Sequence, residues 1–338
     1  MSILSFYSFG CQRTQFAVIG KKDSFKKEFA LVFLPIVWYN TDMKYLSVCE
    51  VAKKWNLSER SVRNYCALGK IDGAFLTGKT WNIPESAVKP DRINKKGKFP
   101  VTLLEVLQEE KMSRVSGGIY HKVQIELTYN SNHIEGSRLT HDQTRYIFET
   151  NTIGVQNGAI NVDDLVETAN HFQCIDYVLE TAKKPISETM IKELHRILKN
   201  GTSDSRKVWF AVGDYKKFPN EVGGEKTVAP EDVESKIKKL ISEYNAKKEK
   251  TLDDMLDFHY RFERIHPFQD GNGRVGRLIL FKECLKNDIV PFVLDEELKP
   301  FYYRGLKEWE NERGYLRDTC LAAQDKFKVW LDYFKIKY

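Results

Sequence analysis

Residues 266–277, HPFQDGNGRVGR, bring a histidine, an acid, a Gly-Asn-Gly turn and two arginines three apart into one short string. No packing rule asks for that mixture, but phosphate chemistry does. Gly271-Asn272-Gly273 at a helix start leaves backbone N–H groups unpaired and lets a ligand approach the main chain. Free donors and the positive end of the helix dipole then point the same way, which makes an anion site. Arg274 and Arg277 share a helix face, so both guanidinium forks can reach one polyphosphate. Asp270 is a hard oxygen ligand placed where a Mg²⁺ would bridge phosphate oxygens. His266, across the loop and neutral near pH 7, suits a general base for a hydroxyl attacking phosphorus. Base, metal carboxylate, anion nest and charge clamp form the working set for transfer of a nucleotidyl or phosphoryl group.

Helices must hold these groups in place. Upstream, Thr251 reads as an N-cap, with Leu252, Met255, Leu256, His259 and Phe262 as a buried stripe. His259 on that stripe reads as a satisfied core histidine rather than a ligand. A residue before proline avoids helical geometry, so the helix ends near Ile265 and a loop begins at His266-Pro267. The next helix starts around Asn272 and turns Val275, Leu278, Ile279 and Leu285 inward. Apolar positions recur at three and four residues through 101–111, 119–134, 140–149, 162–182, 187–199, 231–245, 252–265, 273–286 and from 298 to the end. Residues 205–229 break the pattern. Their glycines, Pro219 and alternating apolar side chains read as a hairpin or flap. The expectation for 101–338 is a mainly α domain with one β-hairpin flap.

The first third has a different character. Residues 1–98 hold 17 Lys+Arg against 8 Asp+Glu, while the remainder holds 36 against 39, so all the basic excess lies there. That balance fits either a polyanionic partner or an ordinary solvated basic surface. Residues 1–42 lack a sustained period. They are either a small strand-like extension or sequence upstream of a natural start at Met43, and the second reading is preferred. From Met43, Ser47 and Glu50 form a capping box. Val51, Ala52 and Trp55 face a core, and Asn56-Leu57-Ser58 turns the chain into a second helix bearing Val62, Tyr65 and Leu68. Gly69 stops that helix. Ile71 to Phe75 and Thr80 to Ile83, joined at Thr77-Gly78-Lys79, read as a two-stranded wing. This block resembles the small winged helix-turn-helix domains of the excisionase and MerR-like type. The resemblance implies that the second helix enters a DNA groove with Arg60, Arg63 and Asn64 exposed; a protein-docking module with the same fold is the alternative. Residues 91–100 read as a linker. The organisation expected is therefore an extension over 1–42, a winged unit over 43–90, the linker, and a helical domain over 101–338.

Six scattered cysteines without CxxC spacing point to a reducing compartment and to neither a disulfide framework nor a zinc site. The longest apolar run, residues 29–39, is interrupted by Pro35 and falls short of the roughly 20 residues a bilayer requires. No small-residue cleavage site follows it. A cytoplasmic protein without a membrane partner is expected.

The string 266–277 matches every fixed position of HPFxDGNGRxxR, and residues 101–338 are identified as a member of the Fic family by it. That resemblance implies a helical Fic fold that binds ATP with Mg²⁺ and moves AMP onto a Ser, Thr or Tyr hydroxyl of a protein, releasing pyrophosphate. His266 would be the base and Asp270 the Mg²⁺ ligand. Gly271, Asn272, Gly273 and Arg274 would hold the α- and β-phosphates, and Arg277 the γ-phosphate. Gly213 to Val228 would be the flap that lines up a target segment by strand pairing. Lys217 stands where relatives carry Arg after the flap Tyr215. Tyr303 would lie near the adenine, and Glu310 replaces a common Asn.

A second string, SNHIEGSRLT at 131–140, fits the family's [ST]xxxE[GN] inhibitory pattern through Ser131, Glu135 and Gly136, and places an inhibitory helix near 119–136. A Glu135 paired with Arg277 would occupy the γ-phosphate clamp and repel that phosphate. The function expected is an autoinhibited protein adenylyltransferase. Two alternatives stay open: a de-AMPylating enzyme in which Glu135 positions a water, and a DNA-binding regulator whose Fic site senses nucleotide. The partners expected are a target protein with an acceptor hydroxyl and, through the first unit, DNA; a homodimer is left open.

Overall fold

A computed structural model describes residues 44–67, 69–78, 80–90, 102–154 and 159–338. The expected extension over 1–42, Leu68, Lys79 and the linker over 91–100 lie outside the described residues. The chain divides after Asn94 into two compact units.

In the first unit, strand β1 (Tyr45–Leu46) leads into helix α1 (Val48–Trp55). Ser47 and Glu50 cap it reciprocally, and Asn56 ends it in the left-handed conformation. Helix α2 (Glu59–Ala67) follows, with the Ser58 hydroxyl accepting from the Ser61 N–H. Val51, Trp55, Val62, Cys66, Ile71 and Ile83 make a small core. Strands β2 (Phe75–Thr77) and β3 (Thr80–Pro84) pair antiparallel, and β1 adds to the other edge of β3. The first wing strand begins at Phe75 rather than Ile71. Ile71 is buried in the unit's core, and the Ala74 N–H closes a turn onto its carbonyl through Gly73 at φ 73°.

The second unit is helical, as the apolar periodicity expects. Its helices are α3 (Leu103–Ser113), α4 (Ile119–Ile134), α5 (His141–Thr150), α6 (Val162–Thr181), α7 (Glu188–Lys199), α8 (Pro230–Ala246), α9 (Leu252–Ile265), α10 (Asn272–Lys286), α11 (Lys299–Lys307) and α12 (Gly314–Phe334). The helical pattern from 298 to the end is carried by two helices. None among the described residues is long and apolar enough to cross a membrane. The hairpin expected over 205–229 shrinks to β4 (Glu221–Val222) and β5 (Glu225–Lys226), joined at Gly223-Gly224. Residues 205–220 instead run mostly as turns, tied to the α9–α10 loop at Lys216 and Asn220, and Val208, Trp209 and Phe218 are exposed, so the alternation marks no buried strand face.

Helices α9 and α10 form the centre, packed on one another and on α4, α6 and α7. Phe262, Phe268, Val275 and Leu278 are wholly buried between them, each contributing roughly 1.5–3 kcal/mol of apolar burial. Helix α10 is buried nearly all round, and this sets a rigid N-terminus at the loop.

Candidate active site

The loop between α9 and α10 is shaped by three local constraints. His266 ends α9 at φ 52°, its N–H donating to the Phe262 carbonyl at 2.9 Å. Pro267 forbids the helical alternative, so the imidazole leaves the helix axis at a fixed angle. Asn272 folds back over the loop: its Oδ1 accepts from the Phe268 N–H and its Nδ2 donates to the Phe268 carbonyl, both at 2.8 Å. Gly271, at φ 81°, is the N-cap of α10, and no side chain caps the helix. The first-turn N–H groups are therefore left for a ligand. The Asn272 side chain is thus committed to the loop, which leaves its main chain as the part that faces the start of α10.

His266 is half-buried, and burial together with the Lys216 ammonium lowers its pKa to about 4. The ring is neutral near pH 7, as a base must be. Lys216, itself buried and lowered by that burial to about 8, comes from the segment before the hairpin. Its N–H donates to the Pro267 carbonyl at 2.8 Å, and its Nζ donates to Asn220 Oδ1 at 2.7 Å and Thr227 Oγ1 at 2.6 Å. Asn220 Nδ2 reaches the Phe268 carbonyl at 3.0 Å. His195 ties the same parts from below: its ring stacks on Phe268 at 4.0 Å and accepts the Gly213 N–H at 2.9 Å. The flap segment and the loop thus form one hydrogen-bonded body.

Both arginines are nearly buried and already engaged. Arg274 pairs with Glu167 and, at 3.1 Å, with Asp270. Arg277 donates from Nε to Ser131 Oγ at 3.0 Å, and from Nη2 to the Ser131 carbonyl at 2.9 Å and Glu135 Oε1 at 2.7 Å. Glu135 is the C-cap of α4, with Gly136 beyond it at φ 95°. A carboxylate at a helix C-terminus is poorly placed with respect to the dipole; the guanidinium offsets that. Glu135 Oε1 also lies over Gly273, where any Cβ would collide with it and crowd Arg277 Nη1 at 2.9 Å. The Glu135 carboxylate therefore rests on the first turn of α10.

Asp270 is half-exposed. Burial works against its ionisation, but Arg274 and Lys199 outweigh that and hold the carboxyl well below the usual range. Its Oδ2 takes both cations. Among the described residues no group of three or more His, Cys, Asp or Glu could hold a metal. A hard divalent cation fits at Asp270 as one oxygen ligand, with phosphate and water supplying the others.

Sequence reasoning missed several neighbours. Glu167 and Lys199 brace the arginine and the acid. Glu263, one turn before His266, keeps Oε1 buried without a hydrogen-bond partner, and burial raises its pKa to about 8 despite Arg277 nearby. Tyr302, not Tyr303, is the buried tyrosine here: its hydroxyl lies 2.6 Å from His259 Nε2. Tyr303 is partly exposed and senses the charges of Glu135 and Arg277. Glu310 accepts from the Tyr260 hydroxyl at 2.9 Å. His259 is buried, as expected of a core histidine. In the first unit, Arg60, Arg63 and Asn64 are exposed on α2, with Arg63 paired to Glu59 at 2.7 Å. Periodicity could have found Glu263, since it lies three residues from His266; Glu167 and Lys199 carry no local signal.

Residues 185–283 match the family model described as "Fic/DOC family", and the chain carries a Fic/DOC domain. It is 29% identical over 187 residues to the Caenorhabditis elegans "Protein adenylyltransferase fic-1", which covers 53% of this chain and 35% of that protein. It is 26% identical over 187 residues to the Drosophila mojavensis "Protein adenylyltransferase Fic", with the same shares of 53% and 35%. The chain thus spans about a third of the length of these curated relatives. A Fic domain containing signaling protein from Bacteroides thetaiotaomicron VPI-5482 superposes with a TM-score of 0.50 at 28% identity, over 68% of this chain and 90% of that one. A C. elegans Fic-1 fragment superposes at 0.52 and 20% identity, over 69% and 71%. The fold is that of these Fic structures: mainly helical, with small antiparallel sheets.

Proposed function

We propose that this chain is a protein adenylyltransferase held in check by Glu135, transferring AMP from ATP to a Ser, Thr or Tyr hydroxyl of a target protein. The observation that supports this best is Arg277 fixed by Ser131 and Glu135 at the uncapped start of α10, a helix turn from the His266 loop. In this reading the first-turn N–H groups and Arg274 receive the α- and β-phosphates, and Arg277 the γ-phosphate. Neutral His266 accepts the proton of the attacking hydroxyl. The hydroxyl oxygen bonds to the α-phosphorus as the bond to pyrophosphate breaks. Asp270 would hold Mg²⁺, which when bound neutralises charge on the phosphates. The segment 213–228, bonded to Pro267 and Phe268, lines up the target's acceptor. Tyr303 lies beside the nucleobase. With Glu135 in place, Arg277 is unavailable and ATP binds unproductively.

The experiment is incubation of Glu135→Gly with α-labelled ATP and Mg²⁺. It is expected to label itself or a lysate protein far more than wild type, and adding His266→Ala is expected to abolish the label. Absence of labelling by a folded Glu135→Gly overturns the assignment. Release of AMP from a modified protein by wild type, but not by Glu135→Gly, favours the reverse reaction. A second part of the proposal concerns residues 43–90, read as a winged helix-turn-helix unit. The exposed Arg60, Arg63 and Asn64 on α2 support DNA as its partner.

A further inference from the structure

Lys199 ends α7, far in sequence from the 266–277 string, and its side chain is 2% exposed. Its ammonium has three acceptors for three N–H bonds: Glu167 Oε1 at 2.5 Å, Asp270 Oδ2 at 2.7 Å and Asp204 Oδ2 at 3.0 Å. Arg274 sits on the other Glu167 oxygen and on the same Asp270 oxygen, and Lys207 pairs with Asp204 at 2.6 Å. Three carboxylates therefore face three cations and the cluster is neutral. With every donor used and no exposure, Lys199 does not reach a substrate. It acts on Asp270.

We propose that Lys199 is a positioning residue, a resident cation on the Asp270 carboxylate that admits a divalent cation there only together with nucleotide phosphates. The divalent cation itself rests on the adenylyl-transfer reading. A bare dication at Asp270 would add two charges beside Lys199 and Arg274, both too buried to move away. Polyphosphate supplies the missing negative charge, so metal and nucleotide bind with positive coupling. Among the described residues no cluster of acids could hold the metal alone, which points the same way.

The test is titration of Mn²⁺ on the full chain without nucleotide, read as loss of the free Mn²⁺ signal in electron paramagnetic resonance. Wild type is expected to bind no Mn²⁺ through Asp270 at sub-millimolar concentration. Lys199→Met, with Lys199→Gln as the variant less prone to misfold, is expected to gain affinity by about tenfold or more. Adding Asp270→Asn should remove the gain, and Lys199→Arg, which keeps the charge, should behave as wild type. A merely structural lysine predicts the opposite sign, since its loss would only loosen the site. Unchanged or weaker binding in folded Lys199→Met and Lys199→Gln overturns the proposal. So does wild type binding Mn²⁺ tightly through Asp270 without nucleotide. The readout needs no turnover, so a silent Glu135→Gly labelling assay and a failed Mn²⁺ titration are separate results.

Discussion

Replacing Glu135 by Gln keeps its shape and removes its charge, which isolates the electrostatic part of the proposed inhibition. Glu135 Oε1 lies 2.7 Å from Arg277 Nη2. A phosphate reaching that guanidinium would come within about 4 Å of the carboxylate, a repulsion of about 4 kcal/mol at an effective dielectric near 20. Glu135 is 31% exposed, so solvent screening weakens this. Roughly 1.5–3 kcal/mol remains, or about tenfold to a hundredfold in affinity. Arg277 adds in the same direction, because without Glu135 its buried fork gains most from a new anion. Calorimetric titration of ATP, ADP and AMP checks this. ATP is expected to bind Glu135→Gln about tenfold to a hundredfold more tightly than wild type, while AMP changes by less than about twofold. An equal gain for AMP would place the repulsion at the α-phosphate, and no gain for ATP in a folded variant would refute the clamp argument.

The depressed pKa of His266 fixes a pH dependence. The imidazole is neutral above about 4, so labelling by Glu135→Gly should persist as pH falls from 7 to 5 and fail only near 4; an acidic limb centred at 6.5 would contradict the buried environment. Glu263, raised from 4.5 to about 8, gives stability that is present below 4.5 and lost as pH rises through 8. Glu263→Gln should therefore melt above wild type at pH 9 and show little difference at pH 4, as measured by calorimetry. Asn272→Ala removes both 2.8 Å bonds to Phe268 and should cost roughly 1–3 kcal/mol with loss of labelling; an unchanged melting temperature would show that the loop does not depend on it. Salt-sensitive DNA retention is expected for the intact chain, with Arg60→Ala/Arg63→Ala lowering the salt slope by about two; an unchanged slope would place the DNA contact on other residues, and no retention at all would argue for a protein partner.

The sequence by itself determined the helices and the chemistry of the loop, because both are local. Apolar spacing sets α9 and α10. Pro267 and Gly271 dictate where one stops and the other starts, and the HPFQDGNGRVGR string holds the histidine, the acid, the glycine turn and both arginines within twelve residues. The capping box at Ser47 and the N-cap at Thr251 were legible for the same reason, although the reciprocal bond to Asp254 was not. Only the tertiary structure decided what each group is bonded to. The Asn272 amide folds onto Phe268 on both sides, a partner that nothing in the string announces. The flap looked like a hairpin, although pairing is confined to Glu221–Val222 with Glu225–Lys226, and Lys216 and Asn220 tie the segment to Pro267 and Phe268. Lys199 and Glu167 lie about 70 and 100 residues from their partners in the string. A charge pair spanning such a separation leaves no periodic trace, since Coulomb attraction acts through space and is blind to chain order.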